Sequence, residues 1–88
     1  MENGNEYASL MSDIIKKQSD ILGGEIAVLK ARGVSELTIS DDGKVTEIEG
    51  EPGRALKKLI DEYIALSGDI VKNVMGPIFD KYPSIKVE

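Results

Sequence analysis

Apolar residues repeat with helical spacing over the first third of the chain. Two rows recur every seven positions, namely Tyr7, Ile14, Ile21 and Val28 and, one position later, Ala8, Ile15, Leu22 and Leu29. At about 100° per residue the two rows form one broad apolar face, so the pattern predicts a helix from about Glu6 to Ala31. Each residue of Gly23-Gly24 costs about 1 kcal/mol relative to Ala in a helix interior. Because the seven-residue spacing continues across this pair, the pattern favours one helix, with a kink at most, over two helices.

Two polar residues, Gln18 and Glu25, project from the middle of this apolar face. One interpretation is that the helix edge opens to water there, because Glu is almost never fully buried unless it is paired. The alternative is a buried polar contact that fixes the register of a helix pair. Gln18 and Glu25 are therefore the candidate interhelical polar contact.

The period of the pattern changes from helical to two at Val34. Residues 34–40 and 44–49 alternate as strands do, and Asp42-Gly43 between them is a strong hairpin signal. A two-residue loop would place Asp41 opposite Lys44, Leu37 opposite Ile48 and Ile39 opposite Thr46. This register gives the hairpin one consistent apolar face, so the turn chemistry and the pattern agree.

A second long helix is predicted to begin at Pro52, because Pro suits the first helical position. Its apolar residues cover about half of the circumference. They are Leu56, Leu59, Ile60, Tyr63, Ile64, Leu66, Ile70, Val71, Val74 and Met75. Gly68 does not shift their phase, so the helix is expected to continue through it. Gly76-Pro77 predicts a kink or a stop, followed by a short turn that ends at Pro83.

These elements predict an α+β fold with the order long helix, β-hairpin, long helix (α-β-β-α). We expect a disordered N-terminus at residues 1–5 and a single domain at residues 6–83. Residues 84–88 alternate weakly, which predicts either a C-terminal tail or a short edge strand added to the hairpin.

The predicted helices are too long for one small globule. A helix of about 26 residues spans about 39 Å, whereas a compact chain of this length has a diameter of about 31 Å. The apolar stripe of the second helix is also wider than one core requires. Both features predict a homo-oligomer paired through its helices, with a two-fold dimer favoured. The candidate self-association face is Ile60, Tyr63, Ile64, Ile70, Val71, Val74, Ile14 and Ile21. The competing explanation is a compact monomer whose helices break at Gly23-Gly24 and at Ser67-Gly68.

Composition removes several function classes. The 88 residues contain no Cys and no His, so Cys/His zinc sites and His-dependent nucleophilic catalysis are excluded. The net charge of -5, without a basic stripe, argues against nucleic acid as a partner. No run of apolar residues is long enough for a membrane span, and the acidic start is unlike a signal peptide. We therefore expect a cytoplasmic protein that has no membrane partner.

Two local motifs suggest chemistry that the residues support poorly. Aligned on Gly43 as a calcium loop, the chain has Thr38 and Ser40 where carboxylates are needed, so the hairpin is the preferred interpretation. Residues 50–54 precede a helix and include Arg54, yet no Walker sequence is present, and a helix cap is the simpler interpretation. We expect no catalytic residue, no metal site and no cofactor.

The sequence thus favours a small non-enzymatic interaction, regulatory or scaffold module that acts as a homo-oligomer, with an unidentified protein as a further partner. The alternative function is the binding of a small apolar ligand between Tyr63, Met75, Phe79 and the hairpin. A third hypothesis is an enzyme that uses carboxylates alone. It would require an acidic residue drawn into a pocket, and Glu25 is the first candidate.

Overall fold

The computed structural model describes residues 2–82, and the side chains among them except those of residues 2–5, 67, 69–72, 74 and 75. The elements in chain order are α1 (Glu2–Leu22), α2 (Gly24–Arg32), β1 (Leu37–Ile39), β2 (Val45–Ile48), α3 (Pro52–Ser67) and α4 (Asp69–Asp80). The α+β class and the helix, hairpin, helix order are therefore confirmed. The first helix begins at Glu2 instead of Glu6. The tail or strand predicted at residues 84–88 lies outside the described residues.

The first predicted helix is two helices, α1 and α2, separated at Gly23. Gly23 has φ 97° and ψ 144°, a conformation that strongly favours glycine. Side-chain methyl carbons of Ile15 and Val28 both lie within 4 Å of the position that a Gly43 Cβ would occupy. A straight helix would separate residues 15 and 28 by about 20 Å. The continuous helix predicted from Glu6 to Ala31 is therefore wrong, because α2 folds back and contributes to the same core as α1.

The second predicted helix is divided in the same way. Gly68 has φ 62° and separates α3 from α4, while its N–H donates to the Ile64 carbonyl at 2.8 Å. Of the kink or stop predicted at Gly76-Pro77, the stop does not occur, because α4 continues through Pro77 to Asp80. A helical Pro removes one backbone hydrogen bond, and the short α4 tolerates that loss.

The hairpin has the predicted antiparallel pairing only in the half that lies away from the loop. Leu37 pairs with Ile48 and Thr38 with Glu47, as predicted, but a bulge follows and pairs Ile39 with Val45 instead of Thr46. Ser40 and Lys44, not Asp41 and Lys44, close the loop, because the Ser40 N–H donates to the Lys44 carbonyl at 2.9 Å. The loop thus has three residues and ends with Gly43 at φ 88°, a known hairpin geometry. The bulge turns Ile39 and Val45 inward together, and both are buried.

One hydrophobic core fills the space between the four helices and the hairpin. Its members are Leu10, Met11, Ile14, Ile15, Ala27, Val28, Ala31, Val34, Leu37, Ile39, Val45, Ala55, Leu56, Leu59, Tyr63 and Ile78. The radius of gyration is 11.5 Å and the extents are 31 × 25 × 18 Å, close to the values expected of a compact chain. Because both long helices are broken, the predicted overhang of 39 Å helices does not occur.

Polar contacts also connect the elements around this core. The Tyr63 hydroxyl, fully buried, donates to the Ala27 carbonyl at 2.7 Å and joins α3 to α2. The Val45 N–H donates to Ser12 Oγ at 2.9 Å and joins β2 to α1. Arg32 donates to the Ile39 carbonyl at 3.0 Å and to Asp41 Oδ1 at 2.9 Å. The C-terminus of α2 is therefore attached to the hairpin as well as to the core.

We predict opposite effects from alanine at the two adjacent glycines. Gly23→Ala forces a side chain into a left-handed backbone and should lower the free energy of unfolding by about 1–3 kcal/mol. Gly24→Ala is the matched control, because Gly24 is helical and has open space where a Cβ would lie. It should be neutral or raise stability by up to about 1 kcal/mol. Urea unfolding midpoints measure both, and stabilisation by both substitutions would instead indicate a continuous helix.

Burial of Tyr63 predicts a loss of stability at alkaline pH. Desolvation raises the pKa of the Tyr63 hydroxyl above its ordinary value, so the neutral phenol is favoured in the folded state. Its contribution is complete below about pH 10 and is lost as pH rises further, because the unfolded state ionises first. Urea midpoints between about pH 8 and 11.5 should fall more steeply for the unmodified chain than for Tyr63→Phe. Parallel curves would contradict the assignment.

Candidate self-association surface

The short helix α2 is apolar on both of its sides. Ala27, Val28 and Ala31 are buried in the core, whereas Ile26 is 47% exposed and Leu29 is 68% exposed. Residues three apart are neighbours on a helix surface, so Ile26 and Leu29 form one apolar strip on the side that faces away from the core. The fold-back at Gly23 produces this arrangement, because α2 can turn only one side toward α1 and the hairpin.

Two oppositely charged residues flank this strip. Glu25 is exposed, and Lys30 is half-buried. Among the residues that the structure describes, neither forms an ion pair, since the two pairs present are Arg32–Asp41 and Lys58–Glu36. We call Glu25, Ile26, Leu29 and Lys30 the outer face of α2. An apolar centre with unpaired charges of both signs at its edges is suited to binding a protein surface.

A groove of about 670 Å³ runs along the Glu25 edge of the outer face. It is lined by Gly24, Glu25, Val28, Leu29, Arg32 and Asp41. Arg32 is already bonded to Asp41 and to the Ile39 carbonyl, so its charge is largely satisfied inside the groove. Glu25 is left as the unpaired charge at this edge.

The predicted self-association face is divided between the core and the surface. Ile14 and Tyr63 are fully enclosed by the chain itself, and Ile60 and Ile64 pack against the core while partly exposed. Ile21 at the end of α1 is 43% exposed. The side chains of Ile70, Val71 and Val74 lie outside the described part of the structure. Ile14 and Tyr63 are therefore unavailable to a second chain in this fold, whereas Ile21 is accessible.

Gln18 and Glu25, the candidates for an interhelical polar contact, lie in different surroundings. Gln18 is fully buried on α1, whereas Glu25 points to solvent on α2. The interpretation that both side chains open to water is wrong for Gln18 and correct for Glu25. The Gln18 amide nitrogen and oxygen have no hydrogen-bond partner among the described side chains and backbone groups. A buried amide without a partner costs stability, so Gln18 is a position at which an apolar substitution is informative.

The other candidate chemistries find little support in the geometry. Tyr63 and Phe79 do not line the groove beside Glu25, and Tyr63 fills its space against α2 with its hydroxyl bonded to Ala27. The side chain of Met75, the third proposed ligand contact, is not described. Over the described residues, no three acidic side chains converge as metal ligands would. Glu25 lies at an open surface groove, which does not isolate a carboxylate from water as a catalytic pocket does.

The sequence pattern assigned Leu29 to the apolar face and gave Ile26 no role. Ile26 belongs to neither of the two seven-residue rows. An Ile outside the phase of its own helix is the signal that would have indicated a second apolar side.

Comparisons with known proteins assign neither a family nor a function to this chain. No protein-family model, curated protein or solved structure matches this sequence. Of the helices formed by described residues, none has the length and apolar character needed to cross a bilayer.

We predict that replacing Gln18 with Met stabilises the protein. Met has a similar shape and no polar group to satisfy, so the free energy of unfolding should rise by about 1–2 kcal/mol. Lys17→Met is the matched control, because Lys17 is an exposed neighbour on the same helix, and its effect should stay within about 0.5 kcal/mol. Urea unfolding measures both variants. A destabilised Gln18→Met would indicate that the amide has a partner in solution.

Proposed function

We propose that the protein is a small non-enzymatic interaction module of the cytoplasm that self-associates through the outer face of α2. The observation that carries this proposal is the exposure of Leu29 at 68% beside Ile26 at 47%, on a helix whose other side is already buried. Adjacent exposed apolar side chains on a small chain mark an interaction surface when charged residues border them. The absence of Cys in the sequence fits a reducing compartment.

The expected association is weak and depends on concentration. Full burial of a Leu or Ile contributes about 1.5–3 kcal/mol relative to exposure. Two copies bring four such side chains together, each already partly covered. Association also costs translational and rotational freedom, and contacts of this size fall below the standard protein interface. We expect a dissociation constant of about 10 µM to 1 mM. Such a module responds to its local concentration, which suits a scaffold or regulatory role.

We predict that Leu29→Asp abolishes self-association and leaves the fold intact. A carboxylate at the centre of the strip would be desolvated in the dimer, whereas it stays hydrated in the monomer. Sedimentation equilibrium from about 10 µM to 1 mM should show the unmodified chain approaching dimer mass and Leu29→Asp remaining monomeric.

The matched control is Leu66→Asp, because Leu66 is an exposed Leu (44%) that belongs to α3 and not to the outer face of α2. It should associate like the unmodified chain. A 9.6 kDa species for the unmodified chain over the whole range would contradict the proposal. Equal loss of association in both variants would place the contact elsewhere.

A further inference from the structure

We infer that two copies of α2 pair in parallel about a two-fold axis along the helices, with Glu25 facing Lys30 of the partner subunit. This inference rests on the proposed self-association and specifies its geometry. Residues 25–30 have the sequence Glu-Ile-Ala-Val-Leu-Lys. With Ile26 at position a and Leu29 at position d, Glu25 falls at g and Lys30 at e. In parallel two-stranded coiled coils, β-branched residues at a, Leu at d and opposite charges at g and e are the favoured combination.

Helical geometry places the four residues in that arrangement. At about 100° per residue, Ile26 and Leu29 lie about 30° to either side of the centre line of the outer face, and Glu25 and Lys30 lie about 70° from it on opposite edges. The buried residues Ala27, Val28 and Ala31 lie on the reverse side. The outer face can therefore approach a second helix without disturbing the core.

The charges distinguish the parallel orientation from the antiparallel one. In a parallel pair, the Glu25 edge of one helix faces the Lys30 edge of the other, and the five-residue offset matches a g-to-e contact. Two-fold symmetry then provides two such pairs. In an antiparallel pair like edges meet, so each Lys30 would face the Lys30 edge and each Glu25 would face the edge that carries Glu25 and Arg32. Arg32 is already bonded to Asp41 and to the Ile39 carbonyl, so it is a poor second partner for Glu25.

The groove beside Glu25 favours the same orientation. Asp41 lines that groove with an exposed carboxylate that is bonded to Arg32, so Glu25 leaves the groove with a net negative charge that a cation from a second chain can neutralise. Lys30 of the partner subunit would reach this edge in the parallel pair. Within the described residues Lys30 has no acidic partner of its own, so forming the intermolecular pair breaks no contact in the monomer.

The length of α2 limits the contact to one heptad. The helix ends at Arg32, and the next position a is Gly33, which has no side chain to bury. The edge charges therefore contribute a large share of the association, and raising the salt concentration should weaken the dimer by screening them.

Charge exchange between positions 25 and 30 tests the orientation. Glu25→Lys and Lys30→Glu alone should each weaken the dimer by about 3-fold to 10-fold, because each replaces two attractive pairs with two repulsive ones. The double variant restores opposite charges across a parallel pair and should return the dissociation constant to within about twofold of the unmodified chain. The matched control exchanges Lys57 and Asp61, which are exposed on α3, and should not change association.

A second readout uses single Cys variants, since the chain has no other Cys. In a parallel pair, each residue lies opposite the same residue of the partner subunit. Ile26→Cys and Leu29→Cys should therefore both form intermolecular disulfides under mild oxidation. An antiparallel pair can place only one of these two positions near the axis, and the other then exceeds the reach of a disulfide.

The outcomes separate the two proposals. If Leu29→Asp prevents association but the double charge variant is as weak as the singles, and only one Cys variant cross-links, the parallel geometry is wrong while self-association stands. If the unmodified chain stays monomeric over the whole concentration range, the proposed function fails and the geometry with it. Rescue by the double variant together with cross-linking at both Cys positions supports both.

Discussion

The left-handed backbone at Gly23 is the constraint on which the other packing in this chain depends. At φ 97° the chain leaves α1 and reverses, so α2 lies against the core to which α1 contributes. The reversal brings Val28 and Ile15 together around Gly43, where the hairpin loop needs a residue without a side chain. It also brings the Ala27 carbonyl within 2.7 Å of the Tyr63 hydroxyl on α3. A straight helix would lose both contacts at once.

The same reversal exposes a helix that is apolar on two sides. In a straight helix, Ile26 and Leu29 would be two neighbouring residues on one long helix surface. After the fold-back, one side of α2 is used by the core and the other is left to solvent. The sequence predicted self-association from the length of the two helices. The proposed self-association has a different basis. It now rests on one heptad of α2, and the enclosed side chains of Ile14 and Tyr63 have no part in it.

Local signals predicted the elements, whereas the breaks between them depend on tertiary packing. The Asp42-Gly43 turn and the alternation around it located the hairpin. They did not predict the bulge, which pairs Ile39 with Val45 and accompanies the burial of both side chains. The two seven-residue rows predicted which residues form the apolar face of the helix. A straight helix and a folded-back pair of helices are both compatible with these rows. Only the φ value at a glycine separates the two, and a period carries no information about φ. Gln18 was ambiguous because its burial depends on elements far along the chain.

The break at Gly23 is tested most directly by the distance between the Ile15 and Val28 methyl groups in solution. In a deuterated sample with protonated Ile and Val methyls, both methyls lie beside Gly43 in the folded-back chain, so a methyl–methyl NOE between them is predicted, and it should persist at concentrations where the protein is monomeric. In a continuous helix the two residues are about 20 Å apart, far beyond the range of an NOE. Absence of that cross-peak, with the NOEs inside α1 present, would contradict the break at Gly23 and the outer face derived from it.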